Sequence, residues 1–433
     1  MINKFNDGRR WFLKKRLGLF IHWGLYALHG WHEQEQYRRR MRRTQYEKLI
    51  ENFNPVHFNP EKWLDLAEAA GMEYIVFTAK HIDGFCLWHT GQTDYCIKNT
   101  PYREDILAQL ASACRRRNFP LCLYYSIVDN HHHNYPNKNR THELTKPEDN
   151  DQPNQERYLE FLYAQIRELC TGYGEIHGIW WDANRLGSAL PELNNEIHRL
   201  QPKAVINDRG FSSGDFLTLE REYSNHSQMP AYVFEQPVEG CQSIGKESWG
   251  YKIDEDYYRI GYLTSSIDEF LAKGGNYLLN AGPAADGSIP AEARRILKAI
   301  GRWYRKICES FIDTEPVSLR IDPLLLQRKD NNLGALLTRR KNILYAHLHS
   351  SWQVSSLVLR SINIRPLRAV LLNTGRKLEC NVDDIPSVFP DSRPCLRIRG
   401  LPVDTLANST MVIKLVFKNF PEILETNPAD NIG

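Results

Sequence analysis

The chain reads as α/β, a (β/α)8-like TIM barrel followed by a C-terminal antiparallel β-sandwich. Three observations predict this. Over residues 1–312, short apolar runs of strand length alternate with stretches carrying helix punctuation. Polar and aromatic residues gather just after those apolar runs, where parallel barrels carry their chemistry. Over residues 313–433 the pattern changes to short β-rich runs separated by turn residues, with no helix of comparable length.

In chain order, the first apolar strand spans 17–24 and ends in His22 and Trp23. A polar, aromatic loop containing Glu33 follows, and then a basic run of Arg38, Arg39, Arg40, Arg42 and Arg43, which reads as a solvated helix face. Asn59 suits a helix cap, Pro60 a first turn, and Gly71 the position just past the helix end. A strand at 74–78 leads into Lys80-His81-Ile82-Asp83-Gly84-Phe85, and a helix at 106–116 precedes a strand at 121–125. Residues 131–153 read as a long polar loop, and a helix near 155–170 returns to the strand ending at Asp182. Further strands are expected at 204–207 and 276–280, with a last helix over about 290–309. Between 210 and 262 the pattern is irregular, so not all eight strands are countable. Beyond 313, the runs at 343–348, 355–359 and 411–416 are the clearest strands.

Composition narrows the function classes. A chain of 433 residues is long enough for two cores. With 42% hydrophobic and 25% charged residues it has an ordinary globular composition, and its formal charge of +3 gives no electrostatic reason to bind nucleic acid. Nine scattered Cys without a CxxC spacing suggest reduced thiols. No secretory h-region and no run of about 18 apolar residues is present, so the expectation is a cytoplasmic protein with no membrane partner. Oligomeric state is not legible.

The stretch Gly-Glu-Ile-His-Gly-Ile-Trp-Trp-Asp at 174–182 organises the candidate site: a buried strand that stops on a carboxylate. By itself Asp182 also suits a turn or helix cap. Other carboxylates near expected strand ends are Glu220, Glu222 and Glu239, joined by the imidazoles His22 and His81 and the aromatics Trp23, Tyr124, Trp180 and Trp249. Two carboxylates facing each other across a sugar are the minimum for glycoside hydrolysis, with aromatic walls and imidazoles to hold the ring. No P-loop, dinucleotide fingerprint or serine nucleophile elbow occurs, and no cofactor is expected. His131-His132-His133 beside Asp129 is the one metal-like cluster. Adjacent His on a loop lack ligand spacing, so no metal is expected.

Six motifs in order resemble the α-L-fucosidase family of retaining glycoside hydrolases over about residues 11–312. They are Leu-Gly-Leu-Phe-Ile-His-Trp-Gly-Leu-Tyr (17–26), Thr-Ala-Lys-His-Ile-Asp-Gly-Phe (78–85), Ile-Trp-Trp-Asp (179–182), Ile-Asn-Asp-Arg (206–209), Glu-Ser-Trp-Gly-Tyr (247–251) and Lys-Gly-Gly-Asn-Tyr-Leu-Leu-Asn-Ala-Gly-Pro (273–283). The resemblance implies a barrel followed by a β-sandwich and a carbohydrate substrate, a fucosylated oligosaccharide or glycoconjugate. It implies Asp182 as nucleophile, with His22, Glu33, His81, Tyr124, Trp180 and Arg209 around the sugar. For the acid/base, Gly-Asp-Phe-Leu-Thr-Leu-Glu220 resembles one family pattern and is chosen. Glu222 is the alternative on the same strand face, and Glu239 is expected to support the site or contact substrate, as are Trp23 and Trp249. One departure stands out: the family's His-His-Asp-Gly-Phe has Ile82 at its second His. The loss of that polar contact predicts a relaxed preference for fucose, which leaves open a glycosidase for another, even anionic, sugar or a weakly catalytic sugar-binding protein.

Overall fold

A computed structural model describes residues 5–187, 190–220, 233–317, 335–359, 362–384, 394–407 and 409–421. Eight parallel strands form the first sheet: β1 (Leu17–Ile21), β2 (Tyr74–Lys80), β3 (Leu121–Ser126), β4 (Gly178–Asp182), β5 (Val205–Ile206), β6 (Leu217–Glu220), β7 (Val238–Ser243) and β8 (Asn276–Ala281). They pair in the order β5-β4-β3-β2-β1-β8-β7-β6, and a parallel bridge between Asn207 and Phe216 joins the two ends. The curled sheet with this bridge is the expected barrel.

Among the described residues, five longer helices lie between barrel strands, α1 (Pro60–Ala69), α2 (Ile106–Arg116), α3 (Gln155–Gly172), α4 (Pro191–Leu200) and α5 (Ile260–Ala272), and α6 (Ala291–Ile307) follows β8. Their starts follow local rules. Asn59, Asp105 and Asn154 each accept a backbone N–H three residues on, from Lys62, Ala108 and Arg157, which satisfies one orphan donor per helix. Between β5 and β6 there is no helix, and residues 207–216 cross directly.

Alternation along the strands sorts side chains into two apolar layers. Leu19, Ile21, Ile75, Phe77, Leu123, Ile179, Trp181 and Leu279 face the helices in the larger cluster. Phe20, Tyr74, Val76, Cys122, Tyr124, Trp180, Cys241 and Leu278 fill the barrel interior. Asp182 follows the parity of Trp180, and Glu220 is opposite in parity to the outward Leu219, so both point inward at the strands' exit.

The strands β6 and β7 lie in the region that reads as irregular from sequence. β7 is Val-Glu-Gly-Cys-Gln-Ser, all buried, with no apolar alternation. Its inner positions bring Glu239 and Ser243 among the interior aromatics, and at Gly240 an added Cβ would sit 2.5 Å from the Phe270 ring. Packing against α5 selects these residues, and that signal is absent from local periodicity.

The C-terminal part contains a six-stranded antiparallel sheet and a three-stranded one. Leu344, Ala346, Ile413 and Leu415 of the first meet Leu357, Leu359, Leu396 and Ile398 of the second in one buried cluster, which makes the pair a β-sandwich. It docks on α5 and the end of α6. His347 meets Asp268 at 2.8 Å, the Ser265 and Thr410 hydroxyls lie 3.0 Å apart, and Lys414 reaches Glu309 at 2.7 Å. All nine Cys are free thiols, and among the described residues no helix is long and apolar enough to cross a membrane.

Candidate active site

The site is built at the C-terminal ends of the strands. Asp182 closes β4, and its Oδ2 accepts the Tyr124 hydroxyl at 2.7 Å. Register sets this up, because Tyr124 of β3 pairs with Trp180 and Ser126 with Asp182. Arg209, three residues past β5, places Nη1 at 3.3 Å from Asp182 Oδ1 and Nη2 at 2.6 Å from Glu220 Oε2. One guanidinium therefore spans the two carboxylates, with its carbon 5.3 Å from the Trp180 ring centre. Burial by itself would raise the pKa of Asp182. Arg209 and the Tyr124 hydroxyl outweigh it and hold the carboxyl below its ordinary range, while the same two carboxylates push Arg209 up.

A wall of rings adjoins this pair. His81, Tyr124 and Trp180 stack in sequence at centroid spacings of 5.7 Å each, with interplanar angles of 19° and 21°. His22 lies edge-on to Tyr124 at 5.2 Å and tilted against Trp249 at 5.2 Å. A register shift in β2 explains the position of His81. Thr78 pairs with Tyr124, whereas Lys80 pairs with Tyr125, so one extra residue turns Lys80 onto the outer face and His81 onto the inner one. Lys80 then pairs with Asp129 at 2.7 Å. His81 is 6% exposed, and its Nδ1 has no hydrogen-bond partner among the described residues. Burial and the neighbouring His22 bring its pKa to about 3, so the imidazole is neutral.

Glu33 joins from the loop after β1. Its Oε2 accepts the Ser248 hydroxyl at 2.7 Å and the Trp249 N–H at 2.9 Å, pinning the Trp249 loop. Burial opposes its ionisation, but His32, His81 and Ser248 together bring its pKa to about 2. Asn280 of β8 ties the rest together: its Oδ1 meets His22 Nδ1 at 2.8 Å, and its Nδ2 donates to the Trp249 carbonyl at 2.7 Å. Asn280 lies within a motif quoted above but was not singled out, because Asn in a strand carries no distinctive chemistry.

Two expected contacts lie elsewhere. The Trp23 ring packs with Phe53, Phe58 and Trp63 on the outer side of the sheet, because its position is opposite in parity to His22. Glu239 is near the start of β7, beneath the ring wall. Its carboxyl accepts the Tyr74 hydroxyl at 2.5 Å and the Trp180 Nε1–H at 2.9 Å, and burial raises its pKa to about 7 against those two bonds. It supports Trp180 from below. Glu222 lies outside the described residues.

Arg38, Arg39, Arg40 and Arg42 of the basic run are exposed, as a solvated face requires, and Arg43 is the exception. Arg43 is buried and pairs with Asp151 at 2.5 Å, Arg42 pairs with Glu148 at 2.8 Å, and Arg39 with Glu35 at 3.1 Å. Arg42 and Arg43 tie the loop after β1 to the loop after β3, which the local sequence gives no means of seeing. In the His cluster, His131 meets Glu47 at 2.5 Å and His132 packs on Phe161 at 4.2 Å. No three metal-binding side chains converge among the described residues.

His142 is a residue the sequence did not flag. It belongs to the polar loop after β3, takes a left-handed φ of +76°, and is half-buried. Asp182, Glu220 and Glu33 all act on its imidazole, whose pKa burial lowers overall.

The family model described as Alpha-L-fucosidase matches residues 3–309. Tissue α-L-fucosidase of Rattus norvegicus is 30% identical over 340 residues, 71% of this chain and 70% of that protein. The structure of α-L-fucosidase isoenzyme 1 from Paenibacillus thiaminolyticus superposes with a TM-score of 0.80 at 30% identity, covering 95% of this chain and 99% of that one. The Thermotoga maritima α-fucosidase, solved in complex with a mechanism-based inhibitor, has a TM-score of 0.73 at 26% identity, with coverage of 95% and 97%. With a barrel whose strand ends carry the six motifs, the chain belongs to the α-L-fucosidase family of glycoside hydrolases.

Proposed function

We propose that the chain is a retaining exo-glycosidase acting on α-L-fucosides, with Asp182 as nucleophile and Glu220 as acid/base. The observation that carries the reading is Arg209 spanning Asp182 and Glu220 beside the His81–Tyr124–Trp180 wall. Two carboxyl groups held on one guanidinium suit the close spacing of about 5–5.5 Å that retention needs. Asp182 would attack the anomeric carbon while Glu220 protonates the leaving oxygen. Glu220 would then take a proton from the water that releases the sugar. The ring wall offers an apolar face, and His22, His81 and Glu33 offer partners for hydroxyls.

The Thermotoga maritima α-fucosidase was solved with a mechanism-based inhibitor, which supports a covalent route in that relative. Ile82 favours a broader acceptance among related pyranosides. A panel of aryl glycosides that includes the α-L-fucoside tests both readings, and a 2-deoxy-2-fluoro-fucosyl fluoride should label Asp182 by mass spectrometry. Turnover of another pyranoside with none of the fucoside would replace fucose as the substrate. Binding of sugars without any turnover would leave a lectin-like protein.

A further inference from the structure

Arg185 is three residues beyond Asp182, on the loop that leaves β4. Its carbonyl accepts a hydrogen bond from Arg140, which anchors the loop after β4 to the loop after β3. Its side chain turns to His142, with Nη2 3.5 Å from the imidazole Nδ1. Arg185 is half-buried, and its Nε is buried with no hydrogen-bond partner among the described residues.

The arginines around it are neutralised. Arg140 pairs with Glu143 at 2.5 Å, Arg43 with Asp151 at 2.5 Å, Arg42 with Glu148 at 2.8 Å, and Arg209 with both Asp182 and Glu220. Arg185 meets no carboxylate within ion-pair distance among the described residues. A guanidinium that is partly withdrawn from water and keeps free donors is costly unless something anionic meets it.

Its place in the pocket says what that is. The sugar's wall is formed by side chains of β1 to β4, and in the fucosidase reading the leaving oxygen faces Glu220, which shares Arg209 with Asp182, three residues before Arg185. His142, beside Arg185, feels the charges of Asp182, Glu220 and Glu33. We infer that Arg185, with His142 beside it, forms a leaving-group subsite that takes an oxyanion, a carboxylate or sulfate, carried by the unit attached to the fucosyl residue. The fork geometry of a guanidinium matches both oxyanions. This rests on the fucosidase reading above and adds a preference in its leaving group.

The test compares kcat/KM for the α-L-fucosides of 3-hydroxyphenylacetate, its neutral amide and 3-hydroxybenzylsulfonate. The methylene insulates the ring, so leaving-group acidities match and only the remote charge differs. The wild-type enzyme should favour the anionic members over the amide by about tenfold, as one charge-assisted contact supplies. Arg185→Gln should bring the anionic-to-neutral ratio near one, Arg185→Lys should keep part of it, and added salt should erode it. The relative rates of carboxylate and sulfonate identify which oxyanion is taken. Cleavage of the amide with no preference for either anion, or a fall of all three substrates together in Arg185→Gln, overturns the subsite and leaves the fucosidase reading standing. No cleavage of any of the three, with turnover of other pyranosides, removes both.

Discussion

The hydroxyl of Tyr124 donates to Asp182 Oδ2 at 2.7 Å, across adjacent strands whose register brings the two residues to one end of the barrel. A carboxylate that accepts a phenolic hydrogen bond and faces a guanidinium is ionised and oriented before substrate arrives. Both features suit a nucleophile.

Asp182→Ala should therefore lower kcat by at least about a thousandfold, because a nucleophile acts on the barrier. The fold should persist, since Arg209 keeps Glu220 as partner. Steady-state kinetics with a melting curve checks both, and residual activity within tenfold of wild type would remove Asp182 from that role.

Glu220→Ala should slow glycosides with poor leaving groups far more than activated aryl glycosides, as only the former need a proton in the transition state. Azide should restore part of the rate with an activated substrate. The same signature in Glu239→Ala and its absence in Glu220→Ala would exchange the two assignments, although Glu239 lies beneath Trp180, engaged with Tyr74 and Trp180.

Glu239 predicts a pH dependence of stability. Its folded-state pKa is raised to about 7, above an unfolded value of about 4.3. Such a group contributes stability that is full below the unfolded value and is lost as pH rises through the folded one. Glu239→Gln removes the titration and keeps an acceptor for Trp180 and a donor for Tyr74. From pH 4.5 to 7.5 the melting temperature of wild type should fall relative to the variant, by up to ~3 kcal/mol in stability. A difference that is flat with pH would show that Glu239 does not titrate there.

His347→Ala should weaken the docking of the sandwich on the barrel. The His347–Asp268 pair is 0% and 5% exposed, and removing one member leaves a buried carboxylate. A loss of about 3 kcal/mol is expected, read from denaturant unfolding. A loss below about 1 kcal/mol would mean that the interface does not depend on the pair.

Ile82→His tests the departure from the family pattern. Ile82 is 3% exposed and belongs to the larger apolar cluster, so an imidazole there costs stability of about 1–3 kcal/mol. Position 82 sets the sugar preference only where its imidazole reaches a hydroxyl from that cluster, and kcat/KM on the fucoside, relative to other pyranosides, should then rise by about threefold to tenfold. If wild type is already efficient and selective for fucose, position 82 does not set the preference.

Much of the barrel was legible because its signals are local. The cap-and-proline start of α1, the apolar run of β4 stopping on Asp182, and the change of rhythm beyond 313 each occupy a few residues. Chemical types at expected strand ends pointed in the same way to His22, His81, Tyr124 and Trp180, and the family resemblance added Arg209. β7 was hidden, because its inner Glu239, Cys241 and Ser243 break the apolar alternation that marks a strand, and β6 keeps that alternation over only four residues.

The sequence by itself determined which side chains stand at strand ends, since strand period and helix caps are set by neighbours along the chain. Only the tertiary structure decided what those side chains meet. Trp23 and His22 are adjacent in sequence yet lie on opposite faces of the sheet. Glu33 finds Ser248 across 215 positions, and Glu239 lies under Trp180 rather than beside the sugar wall. The basic run was divided among Glu35, Glu148 and Asp151, while Arg185 was left facing His142. Hydrogen bonds and ion pairs act over about 3–4 Å in space with no reference to sequence separation, so they become readable only once the barrel closes.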